Sequence, residues 1–192
     1  METHDEIIFD NLDWSEKKMP RAEYSNCRFN KCNFTKTEFH SSDFIDCTFK
    51  DCNLSLAILG NTGIKTVSFI NCKLMGIDFS ACNNFLFSPA FQSCQLDYSS
   101  FFQKKMKKIA FIDCSMKKVD FTETDLSMSV FKNCDLQETI FRSSILEKTD
   151  FRTAVNYAFD PELNKIKKAK FASAGLAGLL YKYNIDIDWP GL

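Results

Sequence analysis

The chain has 192 residues, of which 45% are hydrophobic and 26% charged, so it is long enough for one domain with a sizeable core. Its net charge of −1 gives no reason to expect a strongly charged partner, and no run of 18 apolar residues predicts a membrane span. Because the acidic N-terminus lacks the apolar stretch of a secretory signal, we expect a cytoplasmic protein without a membrane partner.

Residues 1–20 are predicted to form an N-terminal cap with an irregular first coil. Phe9, Trp14 and Met19 lie five residues apart and keep the spacing of the segment that follows. We therefore expect the first coil to begin near residue 7 and His4 to lie in a frayed terminus. The open end of a solenoid exposes core and unpaired backbone, which is why a cap is expected there.

Residues 21–156 carry a repeat with a period of five residues. The centres run in steps of five from Tyr24 to Phe79 and, after a slip of two residues, from Leu86 to Phe151. All 26 centres are apolar and 14 are phenylalanine, while the residue two places before each centre is mostly small. A period of five fits neither a helix nor an ordinary strand, so each unit must turn a corner around a shared core.

The cysteines add a longer period of 20 residues. Positions 32, 52 and 72 are cysteines, as are positions 94, 114 and 134, and phenylalanine recurs with the same spacing. Twenty residues are four units, so one coil has four sides, and stacked coils place Phe on Phe and Cys on Cys. All nine cysteines fall at the small inward place of a unit, which predicts buried, reduced thiols rather than a metal or redox site.

The two-residue slip at residues 80–87 is the one irregularity inside the repeat. By phase, Phe85, Phe87 and Phe102 point outward and form a candidate partner patch. The alternative, which we favour, is a local repacking that folds these side chains inward. Lys104 stands at an inward place where other units have a small residue, so we expect a distorted corner there.

Residues 157–192 are predicted to form a C-terminal cap, with a helix at about 172–183 and a final strand from Tyr183 to Ile187. Leu176, Leu179, Leu180 and Tyr183 have the spacing of one helical stripe. Two interpretations stay open: the stripe covers the last coil only, or it also pairs with a second copy of the chain. These four residues are the candidate interface of a C-terminal homodimer.

Little in the sequence indicates catalysis. The only histidines are His4 and His40, and neither has a nearby cysteine to activate. There is no glycine-rich phosphate loop, and we predict no metal, no cofactor and no enzymatic activity. The basic runs at 104–108 and 164–170 are better explained as solvated surface than as a nucleic-acid site, which needs more positive charge and exposed aromatic residues.

The repeat resembles that of the pentapeptide-repeat family, whose unit is written A(D/N)LXX. Unit 51–55, DCNLS, and unit 133–137, NCDLQ, contain the core of this motif, and the resemblance covers roughly residues 20–156. It implies an all-β solenoid, a right-handed quadrilateral β-helix of pentapeptide repeats, which here carries a short C-terminal helix.

Within the family, the chain is distantly similar to the Qnr-type proteins that protect DNA gyrase and topoisomerase IV. The similarity lies in a tower divided by one break, a CDL/CNL-rich pattern and an apolar C-terminal helix. Two features depart from that type: residues 21–160 hold 16 acidic and 17 basic residues, and long projecting loops are lacking. The first hypothesis is therefore a non-enzymatic interaction scaffold of unknown partner. The alternative is a DNA-mimicking binder of type II topoisomerases that gives protection from quinolone or toxin.

Overall fold

The computed structural model describes residues 1–187, which form a parallel β-solenoid of about seven turns with a short C-terminal helix. The predicted fold class, a right-handed quadrilateral β-helix, is confirmed. The strands within residues 1–187 are β1 Glu2–Asp5, β2 Ile8–Asp10, β3 Ala22–Ser25, β4 Arg28–Asn30, β5 Asp43–Ile45, β6 Thr48–Lys50, β7 Gly63–Lys65, β8 Val67–Ile70, β9 Pro89–Gln92, β10 Ala110–Ile112 and β11 Val130–Lys132.

Strands of successive coils pair in parallel along each side of the tower. Strands β1, β3, β5 and β7 form one sheet, the first side, and β2, β4, β6, β8, β9, β10 and β11 form the second side. The register is one coil, as in the pairing of Tyr24 with Phe44. Isolated bridges, such as those joining positions 33 and 53 or positions 38 and 58, connect the coils on the third and fourth sides. The 20-residue period therefore does correspond to four sides.

The corners are turns in which one residue of each unit has a positive φ. At Lys36 the φ is 55°, and the Thr37 amide donates to the Phe34 carbonyl oxygen at 3.0 Å. Positive φ at the third residue is the geometry of a tight β-turn that usually takes glycine or asparagine. Here the conformation recurs at non-glycine residues throughout the tower, and Gly76, with a φ of 66°, is the glycine that occupies it. Coil stacking evidently outweighs the local preference.

The core is a ladder of stacked rings. Phe91 and Phe111 stack with centroids 5.3 Å apart, Phe111 and Phe131 stack at 5.0 Å, and Phe101 meets Phe111 edge to face. These are the arrangements that the ring quadrupole favours, both along a side and around a corner. Of the 26 centres predicted from the period, 25 are buried, and Leu86 is the exception.

The break differs from the prediction in which residue faces inward. Leu86, expected to be a centre, is 64% exposed with a φ of 56°, while Phe87 is buried. The chain bulges between Asn83, whose amide donates to the coil before it, and Ser88, whose amide donates to the Ile64 carbonyl oxygen at 2.9 Å. The ladder resumes with the pairing of β8 and β9, so the two extra residues are absorbed on the first side.

The N-terminal segment is more regular than expected. Strand β1 begins at Glu2 and pairs with β3, and β2 pairs with β4, so residues 1–20 form an ordinary coil instead of an irregular one that starts near residue 7. His4 is not frayed, because its ring stacks on Tyr24 with centroids 4.9 Å apart. The first coil is ordered because its backbone pairs with the second coil, which the side-chain pattern alone did not predict.

The ladder also continues beyond residue 156, the predicted end of the repeat. Positions 145 and 165 form a bridge, as do positions 150 and 170, and Phe171 stacks on Phe151 at 5.3 Å. The cap is helical over residues 173–183, as 3₁₀ turns Ser173–Gly175 and Tyr181–Tyr183 on either side of α1, Ala177–Leu180. The predicted strand from Tyr183 to Ile187 is wrong, since Tyr183 ends the helical segment and residues 184–187 are irregular. No helix in the described part is long and apolar enough to cross a membrane.

Candidate functional site

The nine thiols lie inside the tower. All nine cysteines are buried and unpaired, and each stacked thiol contacts the coil before it, as where Cys72 Sγ donates to the Phe49 carbonyl oxygen at 3.3 Å. Burial raises the pKa of Cys47 and of Cys82 to about 12 in each case. All nine thiols occupy the small inward places of the units and are enclosed by the coils, so they act as packing.

Lys104 is the unusual polar group of the core. It is only 2% exposed, and its ammonium donates to the Cys82 carbonyl oxygen and to Asn84 Oδ1, both at 2.6 Å. The ammonium also lies 4.8 Å from the ring centroid of Phe87. Desolvation lowers the pKa of Lys104. The corner that the sequence predicted to be distorted is therefore filled by a lysine that holds the bulge of the break.

Two large apolar side chains of the bulge, Phe85 and Leu86, are exposed to solvent. We call this pair the knuckle. Phe85 is 66% exposed, and its backbone amide donates to Asn83 Oδ1 at 2.9 Å. Of the predicted partner patch, Phe85 and Phe102 are thus exposed, Phe102 less so at 37%. Phe87 is buried and does not belong to an exposed patch. The favoured repacking holds for Phe87 alone, while Leu86, which the phase placed inside, joins the surface.

The four residues of the predicted C-terminal interface separate into two groups. Leu179 is buried against the last coil, whereas Leu176, Leu180 and Tyr183 are exposed. Their exposed neighbours are Tyr181, Ile185 and Ile187. The cap is fastened beside this surface by Lys182, whose ammonium lies 2.9 Å from Asp160 and 2.7 Å from Glu162. The carboxylates of Glu162 and Asp160 raise the pKa of Lys182. The cap thus covers the coil with one face and leaves an apolar face outside.

The first side has opposite charges at its two ends. Its N-terminal half, on the coils of β1, β3, β5 and β7, contains six carboxylates, and the one lysine there, Lys65, pairs with Asp43 at 3.1 Å. The charge totals over residues 21–160 did not reveal this, because they average the two ends of the tower and leave out Glu2, Asp5 and Glu6. We call these carboxylates the acidic half: Glu2, Asp5, Glu6, Glu23, Asp43 and Asp46.

Groups suited to catalysis are not brought together within residues 1–187. His4 packs on Tyr24, and His40 lies 3.6 Å from Glu38 at the surface. No group of three histidines, cysteines, aspartates or glutamates in the described residues is arranged to hold a metal ion. The surface features that could serve binding are the knuckle, the apolar face of the cap, and the sides of defined charge.

Comparisons with known proteins agree with this architecture. Residues 22–101 match the family model described as pentapeptide repeat region, and residues 114–152 match the model described as pentapeptide repeats (8 copies). No curated protein matches the sequence. Among solved structures, a trypsin-treated variant of QnrB1, a plasmid-mediated fluoroquinolone resistance protein, has a TM-score of 0.52 at 16% identity, covering 94% of this chain and all of that one. A second trypsin-treated QnrB1 variant has a TM-score of 0.51 at 18% identity, covering 98% and 92%. At these identities the likeness concerns the fold.

Proposed function

We propose that this chain, which belongs to the pentapeptide-repeat family, is a non-enzymatic protein-binding scaffold, and that the knuckle is its principal contact. The observation that carries the proposal is the exposure of Phe85 and Leu86, 66% and 64%, on a bulge fixed by the buried Lys104. We place the protein in the cytoplasm because nine unpaired thiols suit a reducing compartment.

The knuckle has the properties of a binding hot spot. Large apolar side chains that enter a partner's pocket contribute most of the energy of many interfaces. A contact that is already rigid loses little conformational freedom on binding, and hydrogen bonds at Asn83, Asn84 and Ser88 hold this bulge at both ends. Phe102, on the next coil, would extend the contact.

Affinity capture with matched variants tests the scaffold. The wild-type chain and a Phe85→Ser, Leu86→Ser variant are immobilised and exposed to extract of the source cell, with Leu56→Ser, another exposed leucine, as control. We expect a protein that binds the wild type and the control, is lost from the knuckle variant, and binds again when purified. If retained proteins are the same for all three, the knuckle is not the contact.

We propose in addition that the scaffold is a homodimer joined through its C-terminal caps. Leu176, Leu180 and Tyr183 leave an apolar face outside after Leu179 has covered the last coil, and such a face is more than a cap needs. A two-fold pairing of identical faces is the commonest way for a homo-oligomer to bury it.

A second candidate function is the binding of a type II topoisomerase as a DNA mimic. The acidic half favours it, because carboxylates gathered on one side of a rigid rod are the kind of surface that a DNA-binding groove accepts. The test is DNA gyrase supercoiling with a fluoroquinolone, with and without the protein. Protection that is reduced by Asp5→Lys, Glu6→Lys and kept by Glu138→Lys supports this function, and no protection by wild type excludes it.

A further inference from the structure

Two lysine-rich runs that lie far apart in the sequence come together on the first side. Residues 104–108 and residues 164–170 are joined by a column of bridges that passes from Lys105 through Asp125 and Ile145 to Lys165. The column contains three coil steps, which is about 14 Å at the spacing of neighbouring strands. The amide of Lys148 donates to the Lys167 carbonyl oxygen at 3.0 Å, which places a further lysine between the two runs.

The resulting surface has a strong excess of positive charge. The surface contains eight lysines and three carboxylates, Asp125, Glu147 and Asp150, so its net charge is +5. Two of these carboxylates are already engaged, Asp125 with Lys107 at 3.3 Å and Asp150 with Arg152 at 2.7 Å. Of the other lysines on this surface, Lys170 lies 4.0 Å from Asp150, and the rest have no carboxylate within 4 Å among residues 1–187. We call the eight the lysine face: Lys105, Lys107, Lys108, Lys148, Lys165, Lys167, Lys168 and Lys170.

We propose that the lysine face binds the phosphodiester backbone of duplex nucleic acid. Lysine ammonium groups bind phosphates as point charges and release the counterions that surround a duplex. The two clusters at the ends of the face are about 14 Å apart. The major groove of a duplex is about 12 Å wide, so the clusters are spaced to reach phosphates on both of its edges.

The shape of the site favours duplex over single strand. An open groove of about 430 Å³ lies at the corner between the first and second sides, lined by Lys148, Lys168, Lys170 and Asp150 together with Met128, Ser129 and Val130. Its lining contains no aromatic side chain on which an unpaired base would stack. The acidic half of the same side repels phosphate, so a duplex crosses the tower at the lysine face instead of lying along it.

The charge of the lysine face is local and does not appear in the composition of the chain. Net charge over the chain is −1, and neither run alone is extensive. Electrostatic binding depends on local potential within a distance of roughly 10 Å, so charges gathered on one side act together whatever the total.

Fluorescence anisotropy with a labelled random-sequence DNA duplex of roughly 25 base pairs tests the proposal. At about 50 mM salt we expect micromolar binding that weakens steeply as salt rises, with a log–log slope near −4 if about four phosphates are contacted. The Lys165→Glu, Lys167→Glu, Lys168→Glu variant should bind at least about tenfold more weakly, and the Lys105→Glu, Lys107→Glu, Lys108→Glu variant equally so.

The control has the same change in net charge on other sides of the tower: Lys31→Glu, Lys50→Glu, Lys73→Glu, all at exposed positions. It should retain most of the affinity, and circular dichroism should give the same β signal for all variants. Absence of duplex binding by wild type, or an equal loss in the control, overturns the proposal. Tighter binding of a single strand, or of polyglutamate, overturns the assignment of duplex phosphate as the ligand.

Discussion

The ammonium of Lys104 donates a hydrogen bond to the carbonyl oxygen of Cys82 one coil earlier, at 2.6 Å. In regular coils the same inward place can carry a hydroxyl that donates to a different carbonyl of the coil before, that of the centre residue, as where Thr124 Oγ1 donates to the Phe101 carbonyl oxygen at 2.8 Å. The same ammonium also donates to Asn84 Oδ1, inside the bulge at residues 83–88, at 2.6 Å. Lys104 therefore ties the bulge to the next coil and fixes the base of the knuckle.

Replacing this lysine should destabilise the bulge. Lys104→Met keeps the length of the side chain but leaves the buried Cys82 carbonyl oxygen without its donor, which costs about 1–3 kcal/mol. Denaturant unfolding measures the loss, and amide hydrogen exchange at residues 83–88 should become faster. Lys105→Met, at the exposed neighbour, should change the free energy of unfolding by less than about 0.5 kcal/mol. Equal stability of the two variants would show that the ammonium does not support the bulge.

The period of five predicts the inward residue wherever the units are intact, because each unit has one side and one corner. At the break this prediction fails. The period is kept whether the two extra residues are inserted before or after a centre, so the spacing alone does not identify the buried residue. Whether Leu86 or Phe87 enters the core depends on what surrounds it, and the buried ammonium of Lys104 lies 4.8 Å from the ring centroid of Phe87. The sequence predicted a distorted corner at Lys104 but not which aromatic residue would remain outside.

The cap was predictable only in outline for a related reason. Its course depends on a close backbone approach: a Cβ at Gly178 would lie 1.9 Å from the Tyr157 carbonyl oxygen, and Phe159 N donates to the Gly178 carbonyl oxygen at 3.1 Å. The helical stripe indicated a helix. It did not indicate that the chain leaves the helix at Asn184 in a left-handed conformation, or that the described residues after it form no strand.

The charge pattern of the first side is a separate case. It follows from the coil period together with the register, which determine which residues of successive coils lie side by side, and composition gives neither.

The ring ladder should make core phenylalanines far more sensitive than exposed ones. Phe111→Ala removes a ring stacked between Phe91 and Phe131, and the loss of burial together with the cavity should cost about 3–5 kcal/mol. Phe85→Ala makes the same chemical change at an exposed site and should cost less than about 0.5 kcal/mol. Chemical denaturation of both variants measures the contrast. A cost below about 1 kcal/mol for Phe111→Ala would contradict its place in the ladder.

The buried thiols should make the fold sensitive to alkali. Burial raises the pKa of Cys47 and Cys82 to about 12, above the usual 9.0, so in the folded chain they keep protons that the unfolded chain gives up. The unfolded state then binds fewer protons, and the free energy of unfolding falls as pH rises from about 9 towards 12. It is unaffected by these groups below about pH 8. Denaturant unfolding at several pH values measures the fall, which should be smaller in a Cys47→Ala, Cys82→Ala variant.

Thiol titration gives an independent measurement of the same burial. A thiol reagent should react slowly with the native protein and with nine groups per chain after denaturation, because all nine cysteines are free and enclosed. Rapid reaction of several thiols in the native state would mean that the tower opens, and stoichiometric zinc by elemental analysis would assign the column a different role.

The apolar face of the cap should join two chains. Leu180 lies beside Leu176 and Tyr183 on that face, so Leu180→Glu places a charge where two copies would meet and should convert a dimer into a monomer. Because Leu180 does not pack in the core, the β signal in circular dichroism should be unchanged. Light scattering after size exclusion measures the mass, and small-angle scattering of the wild type should give a rod about twice the length of one tower. The matched control is Leu56→Glu, the same substitution at an exposed leucine on a distant coil, which should stay dimeric. If the wild-type chain remains monomeric at high micromolar concentration, the dimer proposal is wrong, and the helix only covers the last coil, as Leu179 already does.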